Sequence, residues 1–230
     1  MRSIWLLVVV GCIALAMVVM GCGRVGFAPL DGAPEIAYGC SDAGAATGFD
    51  NLGAGPCQPW GSSTMNNATM VETDGELVIT PSTTAGPTTY AGCFHFKKVP
   101  FVEVFADVTH ALDTTAAPDA YTALQVFGAD INTSAGYEMD HGKLEFRDLV
   151  AGNVIASAPY DPVAMRWWRI RPDGAAIVGE VSSDGSEWKE LGRLHTPPPS
   201  SISINIGAGT TSLDAVPTGA RIGSINVCPP

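Results

Sequence analysis

The fold of this 230-residue chain is decided by one stretch, Arg166-Trp167-Trp168-Arg169-Ile170-Arg171. Alternate residues of a β-strand point to opposite faces of a sheet. Trp168 and Ile170 therefore share one face, which we expect to lie in a hydrophobic core. Trp167, Arg169 and Arg171 share the other face, where the two arginines are expected to pair with carboxylates of neighbouring strands.

The chain after Cys57 repeats this strand-forming pattern. Short runs of β-branched and aromatic residues are broken by Gly, Pro, Asp and Ser about every ten residues, which is typical of all-β proteins. The clearest runs span residues 76–80, 101–105, 123–127, 167–171, 176–181 and 202–206, with a final strand at 220–228. Apolar residues alternate with others at Leu77 and Ile79, and no later stretch keeps a helical period. We predict a two-sheet antiparallel β-sandwich over residues 57–228, with almost no helix.

Three turn signals separate these runs: Thr73-Asp74-Gly75, Asp140-His141-Gly142 and Ser183-Asp184-Gly185. Each places a glycine where a hairpin requires a positive φ. The third turn precedes Trp188, which we expect to pack beside Trp168 in the core because a buried Trp covers a large apolar area.

The composition is acidic, with 23 Asp and Glu against 12 Lys and Arg and a formal net charge of −11. No basic stripe is available to neutralise phosphates, which argues against nucleic acid as a partner. An acidic face is also repelled by anionic lipid head groups. A chain of this length can bury the core of one sandwich domain.

The N-terminus carries an uncharged run, residues 4–20, behind a single Arg2, and the run closes in Val19-Met20-Gly21-Cys22. This arrangement resembles a bacterial lipoprotein signal, and the run is slightly short for a spanning helix. The resemblance implies cleavage before Cys22 and acylation of that cysteine. The residue after that cysteine is Gly23 rather than an Asp, which would resemble an inner-membrane retention signal, so the resemblance favours the outer membrane as the destination. Two alternatives stay open, an uncleaved single-span anchor and processing at Cys12.

Three segments follow from this interpretation: a signal peptide at 1–21, a lipidated Cys22 with a flexible tether at 22–56, and the sandwich at 57–228. Residues 23–56 are rich in Gly, Ala, Pro and Asp and lack a sustained period, which is typical of a tether. Loss of the signal removes one cation, Arg2, so the formal net charge of −11 becomes −12.

Four of the six cysteines remain once Cys12 is removed and Cys22 is acylated. An even number in an exported chain indicates two disulfides, and three pairings are possible. We favour Cys40 with Cys228, which ties the chain ends together, and Cys57 with Cys93, which joins the first strands. No C-x-x-C motif is present, so a zinc site is not predicted.

Three pieces in order carry a resemblance to a known family: Gly75-Glu76-Leu77-Val78-Ile79-Thr80-Pro81, Arg166-Trp167-Trp168-Arg169-Ile170-Arg171 and Ser183-Asp184-Gly185-Ser186-Glu187-Trp188. The chain resembles the concanavalin A-like lectin and glucanase jelly rolls, which include legume lectins, laminin G-like modules and laminarinase-like glycoside hydrolases. The resemblance covers about residues 57–228 and implies the fold rather than a function. The start Cys-Gly-Arg-Val-Gly-Phe is similar to predicted lipoproteins of myxobacteria.

The candidate catalytic residues are Glu138, Asp140 and Glu145. Glu138-Met139-Asp140 matches the start of the Glu-x-Asp-x-(x)-Glu strand of laminarinase-like hydrolases, but Gly142 and Lys143 stand where the second Glu belongs. Glu145 lies beyond the predicted turn, where it can be a cross-strand neighbour of Glu138. Retaining hydrolysis needs two carboxyls about 5 to 5.5 Å apart. The incomplete pattern favours a simple hairpin and no catalysis.

The candidate ligand-binding residues are Trp167 with Tyr137 or Tyr160, as an aromatic platform on which a sugar ring stacks. Solvent-facing aromatic residues are also common in sandwiches simply as strand formers. No cofactor is predicted. Calcium is suggested only by family analogy, at four aspartates near loop positions, Asp107, Asp113, Asp119 and Asp130.

The sequence thus favours a non-catalytic, membrane-anchored surface lipoprotein whose lectin-like domain binds polysaccharide or a protein partner. Two alternatives are a divergent laminarinase-like glycoside hydrolase and a purely structural envelope protein. One sandwich hosts many functions, so the fold alone does not choose among these.

Overall fold

β-strands joined by turns make up the described part of the chain, and no helix occurs in it. The computed structural model describes residues 47–48, 56–57, 62–82, 89–115, 117–129, 132–211 and 218–227. Within these ranges no helical segment has the length and apolar character that a membrane span requires. The all-β prediction is confirmed.

The strands follow one another in chain order as β1 (Thr47–Gly48), β2 (Ser62–Asn66), β3 (Ala68–Thr73), β4 (Glu76–Pro81), β5 (Thr89–Pro100), β6 (Val104–Asp107), β7 (Ala120–Gly128), β8 (Ser134–Asp140), β9 (Lys143–Asp148), β10 (Asn153–Pro159), β11 (Trp167–Asp173), β12 (Ala176–Ser182), β13 (Lys189–Leu194), β14 (Ser201–Thr210), β15 (Ala220–Ile222) and β16 (Ser224–Val227).

Two large sheets and one small sheet form the architecture. The seven-stranded sheet has the order β10-β9-β8-β7-β14-β5-β2, and the six-stranded sheet has the order β1-β16-β6-β11-β12-β13. A third sheet has the order β15-β4-β3. All pairings among the described strands are antiparallel. The predicted two-sheet sandwich is confirmed, with the small sheet as an addition.

The core lies between the two large sheets. Trp168 and Ile170 of β11 are 0% exposed, as the alternation of that strand predicted. Tyr137 of β8 meets Trp168 from the opposite sheet, with ring centroids 5.7 Å apart. Other apolar side chains of predicted strands are also buried, among them Leu77, Ile79, Ile202, Ile204 and Ile206. Burial of these side chains supplies the main driving force for joining the sheets.

The sheets approach closely where Phe146 of β9 packs against β12 and β13. A Cβ atom added at Gly179 would lie 2.5 Å from Cδ2 of Phe146, and one at Gly192 would lie 3.1 Å from its Cδ1. Glycine at both positions therefore leaves the space that the phenyl ring fills.

Two of the predicted turns close hairpins through left-handed backbone. His141 has φ 48° and Gly142 has φ 74° between β8 and β9. Asp74 and Gly75 do the same between β3 and β4, with φ 54° and 78°. Two consecutive positive φ values match the twist of the flanking strands, as in type I′ turns.

Two strand predictions and one part of the predicted tether require correction. The strand expected at 101–105 begins only at Val104, because the Val102 N–H donates to the Pro100 carbonyl at 3.2 Å and turns the chain there. The strand expected at 220–228 is divided into β15 and β16 at Gly223, whose N–H donates to the Asp107 carbonyl at 2.8 Å. Thr47–Gly48, within the predicted tether, pairs with β16 and so belongs to the sandwich.

A disulfide joins Cys57 to Cys93 of β5, which is the predicted pairing. The two cysteines are 36 residues apart in sequence, and their Cα atoms are 5.4 Å apart. Closing a loop of this length restricts the unfolded chain, an effect worth about 3 to 4 kcal/mol. Cys22, Cys40 and Cys228 lie outside the described residues.

Candidate functional site

The aromatic residues predicted to form a sugar platform lie in different parts of the molecule. Trp167 is half-buried on the outer face of the six-stranded sheet. Tyr137 is 0% exposed in the core and has no ring face to offer a ligand. Tyr160 packs edge-on against the buried Trp168, at 6.3 Å between centroids. The predicted combination of Trp167 with either tyrosine is therefore not assembled.

Trp188 does not lie in the core, which corrects its prediction. It is half-buried on the same outer face as Trp167 and contacts Phe105, at 6.3 Å between ring centroids. The Arg169 guanidinium stacks over its ring, with Cζ 4.1 Å from the centroid. The turn before Trp188 directs the side chain outward, where a cation–π contact replaces core packing.

Arg169 and Arg171 pair with a strand carboxylate, as the alternation of β11 predicted. Both guanidinium groups bind Glu180 of β12, Arg169 Nη2 at 2.6 Å from Oε2 and Arg171 Nη2 at 2.9 Å from Oε1. Burial raises the pKa of Glu180, but the hydrogen bonds and charges of the two arginines outweigh it and lower the pKa below its ordinary value. This ion cluster stabilises the outer face of the six-stranded sheet.

The three candidate catalytic residues come together on the outer face of the seven-stranded sheet. Glu138 of β8 and Glu145 of β9 are direct cross-strand partners, and Asp140 lies two residues beyond Glu138 on the same face. Arg147 is an ion-pair partner of both glutamates, at 3.0 Å from Glu138 Oε2 and 3.5 Å from Glu145 Oε2. Asp140 pairs with His141 of the turn.

Two tyrosines missed by the sequence analysis lie on this same outer face. Tyr90 of β5 and Tyr121 of β7 are half-buried and nearly parallel, with centroids 6.3 Å apart and an interplanar angle of 17°. Between their strands runs β14, whose glycines make room for the rings. A Cβ atom at Gly207 would lie 2.7 Å from Tyr90 Oη, and one at Gly209 would lie 2.8 Å from Tyr121 Oη.

A chain of side-chain hydrogen bonds continues from the tyrosines across the sheet. Tyr90 Oη donates to Asn205 Oδ1 at 2.7 Å, and Asn205 Nδ2 donates to Gln125 Oε1 at 2.9 Å. Asn205 is buried, so it holds the half-buried Tyr90 and Gln125 in fixed orientations. We call the surface formed by Tyr90, Tyr121, Gln125, Asn205, Glu138 and Arg147 the tyrosine face.

Both tyrosines of the tyrosine face keep their hydroxyl protons at neutral pH. Burial and the nearby Glu138 charge raise the pKa of Tyr121 to about 12. Burial raises the pKa of Tyr90 far above its ordinary value, against the lowering effect of the Asn205 hydrogen bond. The face therefore combines neutral aromatic rings, an amide, a carboxylate and a guanidinium, which together can stack on a sugar ring and exchange hydrogen bonds with its hydroxyls.

One sequence signal for this face existed. In Ile206-Gly207-Ala208-Gly209, glycines occupy every outward position next to inward Ile206 and Ala208. Glycine weakens a strand unless another group approaches closely, so a repeated outward glycine indicates a covered or ligand-facing surface. The two covering tyrosines come from strands distant in sequence, and no local pattern connects them to β14.

The three described aspartates among those suggested for calcium, Asp107, Asp113 and Asp119, do not form a common cluster. Asp107 is engaged by Arg166, whose Nε and Nη2 donate to its two oxygens at 2.6 and 2.7 Å. Asp113 caps its own turn at the Thr115 N–H, Asp119 is exposed, and Asp130 lies outside the described residues. In the described ranges no three His, Cys, Asp or Glu side chains are placed to hold a metal ion.

This antiparallel sandwich is the fold of the concanavalin A-like lectins and glucanases. Peanut lectin, solved with a 9mer peptide, is similar to this chain at 10% identity and a TM-score of 0.53, over 78% of this chain and 93% of the lectin. The exoplasmic/lumenal domain of VIP36 in its Ca2+/Man3GlcNAc-bound form is similar at 10% identity and a TM-score of 0.51, over 76% of this chain and 87% of that domain.

The carbohydrate binding module CBM66 from Bacillus subtilis is similar at 13% identity and a TM-score of 0.44, over 73% of this chain and 95% of the module. No protein-family model matches the sequence. No curated protein matches it in sequence either. The likeness to peanut lectin and to the VIP36 domain establishes the fold alone.

Proposed function

We propose that this protein is a non-catalytic surface lipoprotein, anchored in the outer membrane through acylated Cys22, whose sandwich domain binds polysaccharide at the tyrosine face. The observation that carries the binding proposal is the pair of nearly parallel rings, Tyr90 and Tyr121, next to the hydrogen-bonded Asn205 and Gln125. Aromatic rings stack on the apolar face of a pyranose, and orientated polar groups read its hydroxyls.

Two further facts support a sugar as the ligand. Peanut lectin and the VIP36 domain bound to Man3GlcNAc share the fold of this chain. The net charge of −11 disfavours polyanions, so we expect a neutral polysaccharide. The anchor rests on the signal at Val19-Met20-Gly21-Cys22, and two or more acyl chains on one residue give stable membrane attachment.

The test is a glycan array probed with the purified full-length chain in a detergent that has no sugar head group. We expect selective binding by the wild type and at least about tenfold weaker binding by Tyr121→Ala, because the variant loses one ring of the pair. Tyr121→Phe is the matched control, since it keeps the ring and should keep most of the affinity. A folded wild type that binds no glycan, or a Tyr121→Ala variant that binds as well as the wild type, contradicts the proposal.

A second candidate function is glycoside hydrolysis, because Glu138 and Glu145 face each other across β8 and β9. A retaining glycosidase uses two carboxyls about 5 to 5.5 Å apart, one as nucleophile and one as acid. Here Arg147 is ion-paired with both. This arrangement favours a role in binding. Hydrolysis of a β-glucan by the wild type that disappears in Glu138→Gln would favour the enzyme instead. Activity that survives in Glu138→Gln would exclude a hydrolase that uses Glu138.

A further inference from the structure

A second candidate binding site lies on the other side of the sandwich from the tyrosine face. It is a groove of about 290 Å³ on the outer face of the six-stranded sheet. We call it the aromatic groove and define it by three aromatic and three charged side chains, Phe105, Trp167, Trp188, Glu103, Arg169 and Asp184. It shares no residue with the tyrosine face.

The three rings of the groove are tilted rather than stacked. Phe105 lies 5.9 Å from Trp167 at an interplanar angle of 57°, and 6.3 Å from Trp188 at 50°. Phe105 is buried at 7% exposure, whereas Trp167 and Trp188 are half-buried, so the two indole rings provide the aromatic surface that a ligand can reach. The face of an aromatic ring carries partial negative charge, so a wall of such faces attracts cations.

A cation already lies on one of these rings. The Cζ atom of Arg169 is 4.1 Å from the centroid of Trp188, well inside the range of a cation–π contact. Glu180 binds this guanidinium from behind and also binds Arg171, so it balances part of their combined charge. The groove thus accepts a positive group on its aromatic surface within the protein itself.

Two carboxylates add negative charge beside the rings. Glu103 keeps a side-chain exposure of 31%, and its one ion pair among the described residues is a long one, 3.6 Å to Arg169. The N–H groups of Ser186 and Glu187 donate to Asp184 at 2.8 and 3.1 Å, and these hydrogen bonds lower the pKa of Asp184, so it is ionised at neutral pH. The lining residues include two anions, Glu103 and Asp184, and one cation, Arg169, so the groove carries an excess negative charge, which repels anions and attracts cations.

From these contacts we propose that the aromatic groove binds a quaternary ammonium group. Such a group spreads its charge over methyl groups, which pack on aromatic faces and need no hydrogen-bond acceptor. The groove volume suits a head group of this size. A neutral sugar could use the rings and donate hydroxyl hydrogen bonds to Glu103 and Asp184, but it would gain nothing from their net charge. This site is independent of glycan binding at the tyrosine face.

The test compares choline with 3,3-dimethylbutan-1-ol, which has the same shape without the charge. The full-length chain is titrated by calorimetry in a polyoxyethylene detergent, which carries neither an ammonium nor a sugar head group. We expect saturable choline binding that is at least about tenfold tighter than binding of the neutral alcohol and that weakens as salt is added.

Variants locate the binding. Trp167→Leu should weaken choline binding about tenfold, and Glu103→Gln, which keeps the aromatic rings, should weaken it severalfold. Glu190→Gln is the charge-matched control on the same sheet, where Glu190 pairs with Arg193 outside the groove, and it should bind like the wild type. Absence of choline binding, equal affinity for choline and the alcohol, or full affinity in Glu103→Gln would overturn the proposal. Binding of methyl glucoside in place of choline would also overturn it and make the groove a sugar site.

Discussion

Glu180 is a nearly buried charge, and one substitution can measure its contribution to the free energy of unfolding. Its side chain is 7% exposed and is held by Arg169 and Arg171, which are 18% and 30% exposed. Breaking a fully buried pair costs about 3 to 5 kcal/mol, but these arginines still reach water. We therefore expect Glu180→Gln to lower the free energy of unfolding by about 2 kcal/mol at neutral pH, as measured by urea denaturation.

The pH dependence of this loss follows from the direction of the pKa shift. The folded-state pKa of Glu180 lies below its ordinary value of 4.5, so the unfolded chain takes up the proton first as the pH falls. The stabilisation is complete above the ordinary value and is lost as the pH drops through the folded-state pKa. The difference between wild type and Glu180→Gln should shrink in acid. Glu190→Gln, at a side-chain exposure of 43%, should cost less than about 1 kcal/mol at any pH. A difference that stays constant into acid would refute this account.

Single residues were predictable from sequence where strand alternation decides their environment. Trp168 and Ile170 are buried, and Arg169 and Arg171 are paired, because a strand fixes which face each side chain takes. The prediction that Trp188 packs in the core was wrong. Trp188 lies outside β11, so the alternation of that strand does not fix its direction, and its burial was inferred from the size of its side chain. The prediction that Tyr137 lines a ligand platform was wrong for a related reason, because a tyrosine side chain packs in a core as well as on a surface.

At the scale of elements, the contact between the two sheets depends on glycines opposite Phe146. Gly179→Ala would place a Cβ atom 2.5 Å from the ring, so we expect it to lower the free energy of unfolding by about 1 to 3 kcal/mol. Adding Phe146→Leu should relieve the clash, so that the double variant is more stable than the sum of the two single effects predicts. Thermal or urea unfolding of the four proteins measures this coupling. Ile222→Val, in the small sheet, is the control and should add to Gly179→Ala without coupling.

A strand was predictable from sequence where its apolar residues alternate. The strand β4 buries alternate residues and β14 carries alternating isoleucines at Ile202, Ile204 and Ile206, so both were found. In contrast, β10 exposes most of its side chains at the edge of its sheet and has no apolar period. The long β5 was missed because strongly polar and small residues interrupt its run. Pairing with neighbouring strands makes this segment a β-strand, and a sequence pattern does not show which strands pair.

At the scale of the whole molecule, the two sheets turn different chemistry outward. The tyrosine face carries neutral rings beside the hydrogen-bonded amides of Asn205 and Gln125. The aromatic groove carries rings beside an excess of negative charge. The sequence predicts one aromatic platform, because strand alternation alone does not assign aromatic residues to sheets. Assigning them required the strand order, which brings Tyr90 and Tyr121 together across β14 although they are far apart along the chain.

The proposed anchor decides where both surfaces operate, and it is tested at two cysteines. We expect cells fed an alkyne-labelled fatty acid to label the wild type and Cys12→Ser but not Cys22→Ser, because only Cys22 ends an apolar run of ordinary signal length. Cys12→Ser is the matched control, since it makes the same Cys-to-Ser change at the alternative processing site. Label that is lost in Cys12→Ser and kept in Cys22→Ser would move the processing site to residue 12. A wild type without label would favour the uncleaved anchor, which holds the chain by a helix instead of acyl chains.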